Sequence, residues 1–254
     1  MRMPVLFVGH GSPMNALEDN PWTQTLAELG KKLPRPKAIA AISAHWVTPG
    51  SRVSISQKPK TIHDFNGFPK ELNEVEYPAP GAPDEAQRLV RDLGLQPDET
   101  WGLDHGTWSV LRHLYPKADI PVFQISLDQN KTLEEHEALG EKLQPLRERG
   151  VLILGSGNLT HNLRKFEWDE KAKPYDWAVE FDSKIKKAIE ARDLKSLTNP
   201  QVWGESLYRQ AHPTAEHYVP LLYVMGSSTE KDKLSFPFEE IQNAGFSMRM
   251  VLFS

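Results

Sequence analysis

Four short apolar runs recur along the chain, Met3–Val8, Ala38–Ser43, Ile120–Ser126 and Val151–Leu154, and each gives way to a short polar or glycine-bearing stretch. Helical periodicity marks other segments: Trp22–Lys32, Asp84–Leu93, Thr107–Leu114, Leu133–Arg149 and Tyr175–Arg192. A strand that is continuously apolar buries both of its faces, so strands of this kind alternating with helices specify a mostly parallel sheet covered on both sides. The expected fold is therefore α/β, a single domain over residues 1–254 with a central, mostly parallel (mixed) β-sheet flanked by helices. The alternating segment Ser247–Phe253 reads as an added edge strand, and the proline-rich Pro78–Pro83 as a surface loop.

Composition narrows the chemistry. The chain has no cysteine, which excludes disulfides, thiolate metal sites and a cysteine nucleophile. Any metal must be held by histidine, aspartate or glutamate. Thirty Lys and Arg against 34 Asp and Glu leave a net charge of −4 with signs mixed along the chain, which gives no footprint for nucleic acid. No apolar run approaches the ~18 residues of a membrane span. Pro4–Val8 is too short for the apolar core of a signal peptide, so the expectation is a soluble, cytoplasmic protein.

Three of the apolar runs lead into a histidine: His10 in Gly9-His10-Gly11-Ser12-Pro13, His45 in Ala44-His45-Trp46, and His161 in Gly155-Ser156-Gly157-Asn158-Leu159-Thr160-His161. Loops at the carboxyl ends of parallel strands converge on one crevice, so these side chains are expected to meet. The glycines complete neither a dinucleotide fingerprint nor a Walker loop, and no Gly-x-Ser-x-Gly elbow is present. Downstream, His212 and His217 lie five apart, ahead of a helix expected to begin near Pro220. That spacing is not i, i+4, so one should face the site and the other support it.

Five segments in this order, Val8–Pro13 (VGHGSP), Ser43–Trp46 (SAHW), Asp104–Trp108 (DHGTW), Gly155–Leu163 (GSGNLTHNL) and His212–Leu221 (HPTAEHYVPL), resemble the class III extradiol ring-cleaving dioxygenases, in the branch that contains the DOPA dioxygenases. The resemblance covers nearly the whole chain. It implies an Fe(II) enzyme that consumes O₂ and opens a catechol ring beside its two hydroxyls. Carried over residue by residue, it makes His10, His45 and His217 the metal ligands, His161 the acid/base histidine, with a fourth-ligand role as its alternative, and His105 a substrate-contacting histidine. Better-known members of the wider family use two histidines and a glutamate. Here His217 aligns with that glutamate, and Glu216 beside it is the alternative carboxylate. An all-imidazole set is also a good zinc site, and Zn(II) is an expected occupant of purified protein.

Three protein ligands leave room on a six-coordinate metal for both catechol oxygens and for O₂, which replaces a three-body encounter by proximity. An unligated histidine with a pKa near neutrality takes the second catechol proton and returns it as oxygen is inserted, the role expected of His161. His105, preceded by Asp104, either donates to a substrate oxygen or holds a structural turn. His63, in Thr61–Phe68, belongs either to an aromatic lid or to surface packing. His113 and His136 read as structural or solvated, and Trp46 as packing around the metal. Two further readings stay open on the residues alone: a zinc hydrolase using the same ligands, and a non-enzymatic binding module like the memo family. The substrate is expected to be a small catechol, with no feature that identifies its tail or an oligomeric state.

Overall fold

The computed structural model describes residues 2–254. Ten strands are assigned: β1 Val5–Gly9, β2 Ala38–Thr48, β3 Arg52–Ser54, β4 Gln96–Asp98, β5 Val122–Asp128, β6 Val151–Gly157, β7 Leu234–Ser235, β8 Ile241–Gln242, β9 Phe246–Ser247 and β10 Met250–Phe253. Eight of them form one sheet in the order β4-β3-β5-β2-β6-β1-β10-β7, and β8 pairs with β9 apart from it. The central four, β5, β2, β6 and β1, are mutually parallel. Both margins add antiparallel pairs, so the sheet is mixed as expected.

Alternation along each strand sends side chains to opposite faces and makes two cores. Val5 and Phe7 of β1, with Val151 and Ile153 of β6, join one cluster; Leu6, Val8, Leu152 and Leu154 join the other. With the short helices α2 (Lys70–Asn73), α6 (Gln144–Glu148), α8 (Leu194–Leu197) and α9 (Glu205–Ala211) set aside, the first face is covered by α3 (Pro83–Leu93), α5 (Leu133–Lys142), α7 (Asp176–Glu190) and α10 (Val219–Ser227). On the second lie α1 (Pro21–Lys32) and α4 (His105–Leu114), led by Trp22 and Trp108.

Several boundaries depart from the sequence reading, each for a local reason. The run Ala38–Ser43 does not stop at Ser43 but continues to Thr48, with a shift in register between Ile42 and Val47 where it pairs with β5. His45 sits in that irregular stretch, and a bulge of this kind re-aims side chains. Helix α4 begins at His105 rather than Thr107, because the Asp104 side chain caps it by accepting from the Thr107 N–H at 3.1 Å. The pattern Leu133–Arg149 is two helices, α5 and a short Gln144–Glu148 segment that Pro145 opens, since proline cannot donate to the preceding turn. Met250–Phe253 is not the edge strand expected; β7 pairs outside it. Of Pro78–Pro83 all but Pro83, which opens α3, is loop, yet Ala79 is buried and Pro80 O accepts from the Val122 N–H at 2.8 Å, which moors the loop at the start of β5.

Candidate active site

Parallel register brings the ends of β1, β2 and β6 level. Val8 and Ser43 both lie opposite Ser156, and Gly9 lies opposite Gly157. His10 follows β1 directly and His45 projects from the irregular part of β2, so the two meet over the end of β6. Their Nε2 atoms are 3.1 Å apart. His217 arrives from the other face, immediately ahead of α10, where its carbonyl accepts from the Asn158 N–H at 2.9 Å. A Cβ on Gly157 would stand 2.1 Å from that carbonyl oxygen, so only glycine lets the two backbones approach. The His217 ring centroid is 5.4 Å from that of His10 and 5.0 Å from that of His45.

Each of the three rings is held through Nδ1. Ser156 donates its hydroxyl hydrogen to Gly106 O at 2.5 Å, so toward His10 it can only accept, and His10 Nδ1 must carry the proton across their 3.0 Å contact. His45 Nδ1 lies 3.5 Å from Asp64 Oδ2, and His217 Nδ1 lies 3.3 Å from Glu216 Oε1. With His10 protonated at Nδ1, its Nε2 presents a lone pair to His45 Nε2 at 3.1 Å, and the two face each other as lone pairs when His45 also carries its proton on Nδ1 toward Asp64. Two such lone pairs repel unless a cation lies between them, and the donor set is what a divalent metal requires.

Burial fixes the charge state. It pushes His45 down to about 3, with His105 adding repulsion, and holds His10 and His217 well below the ordinary imidazole value, again with neighbouring histidines reinforcing the effect. These rings are neutral at pH 7. The Asp64 residue is exposed but its side chain is only 19% so, and this partial burial opposes its charge, while contacts with His105 and His45 outweigh that cost and keep its carboxyl below the usual range.

His161 stacks on His217, with ring centroids 3.5 Å apart and planes 5° apart, and has Phe246 at 4.8 Å. Among the described residues its ring nitrogens make no hydrogen bond. Burial, then the nearby His212 and His105, push it down to about 3, so it does not have the near-neutral pKa expected from the sequence. His105 lies beside His45, centroids 3.9 Å apart, and against Phe65 at 5.6 Å. Two sets of potential ligand atoms each fall within 4.8 Å among themselves, His10, His45 and His105 in one and His161, Glu216 and His217 in the other, so His217 is not grouped with His10 and His45 as the sequence led one to expect. All these groups except Glu216 border a cavity of about 690 Å³, walled by Phe65, Phe68, Phe166 and Phe246.

A profile of the family described as the catalytic LigB subunit of aromatic ring-opening dioxygenase matches residues 5–251. The chain belongs to that family. It is 45% identical over 260 residues to an Escherichia coli K12 protein named 4,5-DOPA dioxygenase extradiol, covering 98% of this chain and 94% of the relative. A Beta vulgaris protein of the same name is 37% identical over 89% of this chain and 87% of its own length. A crystal structure of an E. coli K12 protein described as uncharacterized shares the fold with a TM-score of 0.87 at 40% identity, over the full length of both chains. This LigB-family protein is thus an extradiol-type dioxygenase, and neither the hydrolase nor the binding-module reading is favoured. No helix among the described residues is long and apolar enough to cross a membrane.

Other sequence-based expectations divide. His212 supports rather than faces the site, with its Nε2 2.9 Å from Leu159 O. His63 Nε2 is 3.0 Å from Val75 O, and the cavity wall in its loop is formed by Phe65 and Phe68 instead. His113 and His136 are structural, with ring nitrogens at 2.8 Å from Asn15 O and 3.0 Å from the Tyr223 hydroxyl. Trp46 does not pack around the metal site; it stacks on Trp101, centroids 5.2 Å and planes 4° apart, outside the cavity lining. Asp64, Ser156 and Phe246 were not picked out by sequence reasoning. Asp64 carried a signal in its place beside His63 in an aromatic loop, and Ser156 in its place within Gly155–Leu163, whereas Phe246 carried none.

Proposed function

We propose that the protein cleaves the ring of a catechol such as DOPA beside its hydroxyls, at one divalent metal held by His10, His45 and His217, with Fe(II) serving turnover and Zn(II) able to fill the same imidazole set. The observation that carries this reading is the 3.1 Å approach of the Nε2 atoms of His10 and His45, with His10 Nδ1 bonded to Ser156 and His45 Nδ1 3.5 Å from Asp64. When bound, the metal supplies a positive charge that eases deprotonation of the catechol and positions for both substrates.

The chain's own residues do the rest. Phe65, Phe68 and Phe246 give the aromatic ring apolar walls and exclude water. His161 is neutral at pH 7 and unengaged at its ring nitrogens, so it is positioned to take a catechol proton and to return it once the ring opens. His105, between His45 and Phe65, borders the substrate. The test is anaerobic loading with Fe(II), followed by O₂ uptake against DOPA and other catechols, with the cleavage position of each product determined. One O₂ consumed per catechol and a ring-opened semialdehyde are expected. Cleavage between the hydroxyls, or no turnover at full Fe(II) loading, defeats the reading.

A further inference from the structure

The loop that carries the cavity wall also reaches beneath it. Thr61 pairs with Leu103, whose carbonyl accepts from the Ile62 N–H and whose N–H donates to Lys60 O, each at 2.7 Å, so the loop is anchored beside the start of α4. Three residues on, Asp64 turns inward. Its Oδ1 accepts from the His105 backbone N–H at 2.9 Å, in the first turn of a ten-residue helix whose amino end favours a negative charge. Its other oxygen, Oδ2, lies 2.9 Å from His105 Nδ1 and 3.5 Å from His45 Nδ1. His105 Nδ1 is fully buried and makes no hydrogen bond, which leaves the Asp64 carboxylate at 2.9 Å as the polar group closest to hand. One carboxylate oxygen therefore serves two imidazoles whose centroids are 3.9 Å apart.

We propose that Asp64 is a positioning residue that holds His45 and His105 together as Nδ1–H tautomers, leaving Nε2 of His45 to the metal and Nε2 of His105 to the substrate. This rests on His45 being a ligand, as proposed above. A carboxylate accepts and never donates when ionised, so its place beside both Nδ1 atoms favours the Nδ1–H form of each ring. Outer carboxylates of this sort orient a ligating imidazole and raise its basicity. An acceptor at His105 Nε2 also reverses the direction expected from the sequence, in which His105 donated to a substrate oxygen. The same loop contributes Phe65 and Phe68, so ligand orientation and the substrate wall depend on one segment.

The experiment compares wild type, Asp64→Asn and Asp64→Glu as metal-free and metal-loaded protein. In long-range ¹H–¹⁵N spectra of histidine-labelled metal-free protein, assigned with His45→Gln and His105→Gln, wild type is expected to show both rings protonated at Nδ1. Asp64→Asn should move at least one ring to the Nε2–H form and weaken Zn(II) binding about 10- to 100-fold, and Asp64→Glu should recover part of both. Circular dichroism identifies any variant that has lost its fold, and Asp64→Glu then carries the comparison. The proposal is overturned if either wild-type ring is Nε2–H, or if Asp64→Asn changes neither tautomer nor affinity. Because the tautomer is read without metal, failure of wild type to bind Zn(II) at all would defeat the ligand assignment separately.

Discussion

The rings of His161 and His217 lie face to face, centroids 3.5 Å apart and only 5° from parallel. Stacked this closely, the two cannot both carry charge without strong repulsion, and burial lowers the pKa of each. The arrangement sets the ring proposed to move the proton directly against a proposed ligand, with its own nitrogens free of hydrogen bonds among the described residues.

His161→Gln is expected to lower kcat by about 10²–10⁴-fold, the range of a single acid/base group, with Fe(II) retained. Metal content and single-turnover rates on the same preparation decide this. Loss of metal in step with activity would make His161 a ligand instead.

His10, His45 and His105 bring ring nitrogens within 4.8 Å of one another, whereas His217 falls in a separate set with His161 and Glu216, so the third ligand needs its own test. His217→Ala should abolish stoichiometric metal binding, whereas His105→Ala should keep it and raise KM for the catechol. Equilibrium dialysis with Zn(II) separates the two variants, and the opposite pattern would exchange their roles.

Gly157→Ala places a methyl 2.1 Å from His217 O, against backbone that cannot rotate away. The expected cost is about 1–3 kcal/mol of stability from overpacking, together with weaker metal binding because the start of α10 must shift. Urea unfolding and metal titration of this variant check both. Gly67→Ala is the comparison, since its position is open, although its φ of 82° makes it strained for another reason.

Acid should weaken the metal-free protein well before its carboxylates protonate. Burial lowers His136 to about 4, and its Nδ1 is 3.0 Å from the Tyr223 hydroxyl. The unfolded chain takes up that proton near pH 6.5, so the contribution is full above 6.5 and is lost as pH falls toward 4, amounting to roughly 3 kcal/mol. Asp232, lowered to about 2 despite its burial by its contacts with Arg147, acts in a lower window, losing its contribution as pH drops from about 4 toward 2. Stability measured by urea against pH should therefore slope downward below 6.5, and His136→Gln should flatten that slope. An unchanged slope would show that His136 is not held neutral by the fold.

The parallel sheet and the convergence of His10, His45 and His161 were legible in the chain, because buried strands must be continuously apolar and their carboxyl ends must point one way. The position of His217 was legible too, since Pro220 marks the start of a helix by its own geometry. Tertiary structure alone decided the rest. Whether Trp46 packs on the site or on Trp101 depends on how the irregular stretch of β2 turns its side chains, and periodicity says nothing of a shift in register. That Asp64 reaches His45 and His105 depends on a loop moored at Leu103, a contact across some forty residues of chain. Phe246 closes the stack on His161 from a segment with no sequence mark at all. Local pattern reports which face of an element is buried; it cannot report which side chains from separate elements arrive at one point, since that follows from how those elements pack against one another.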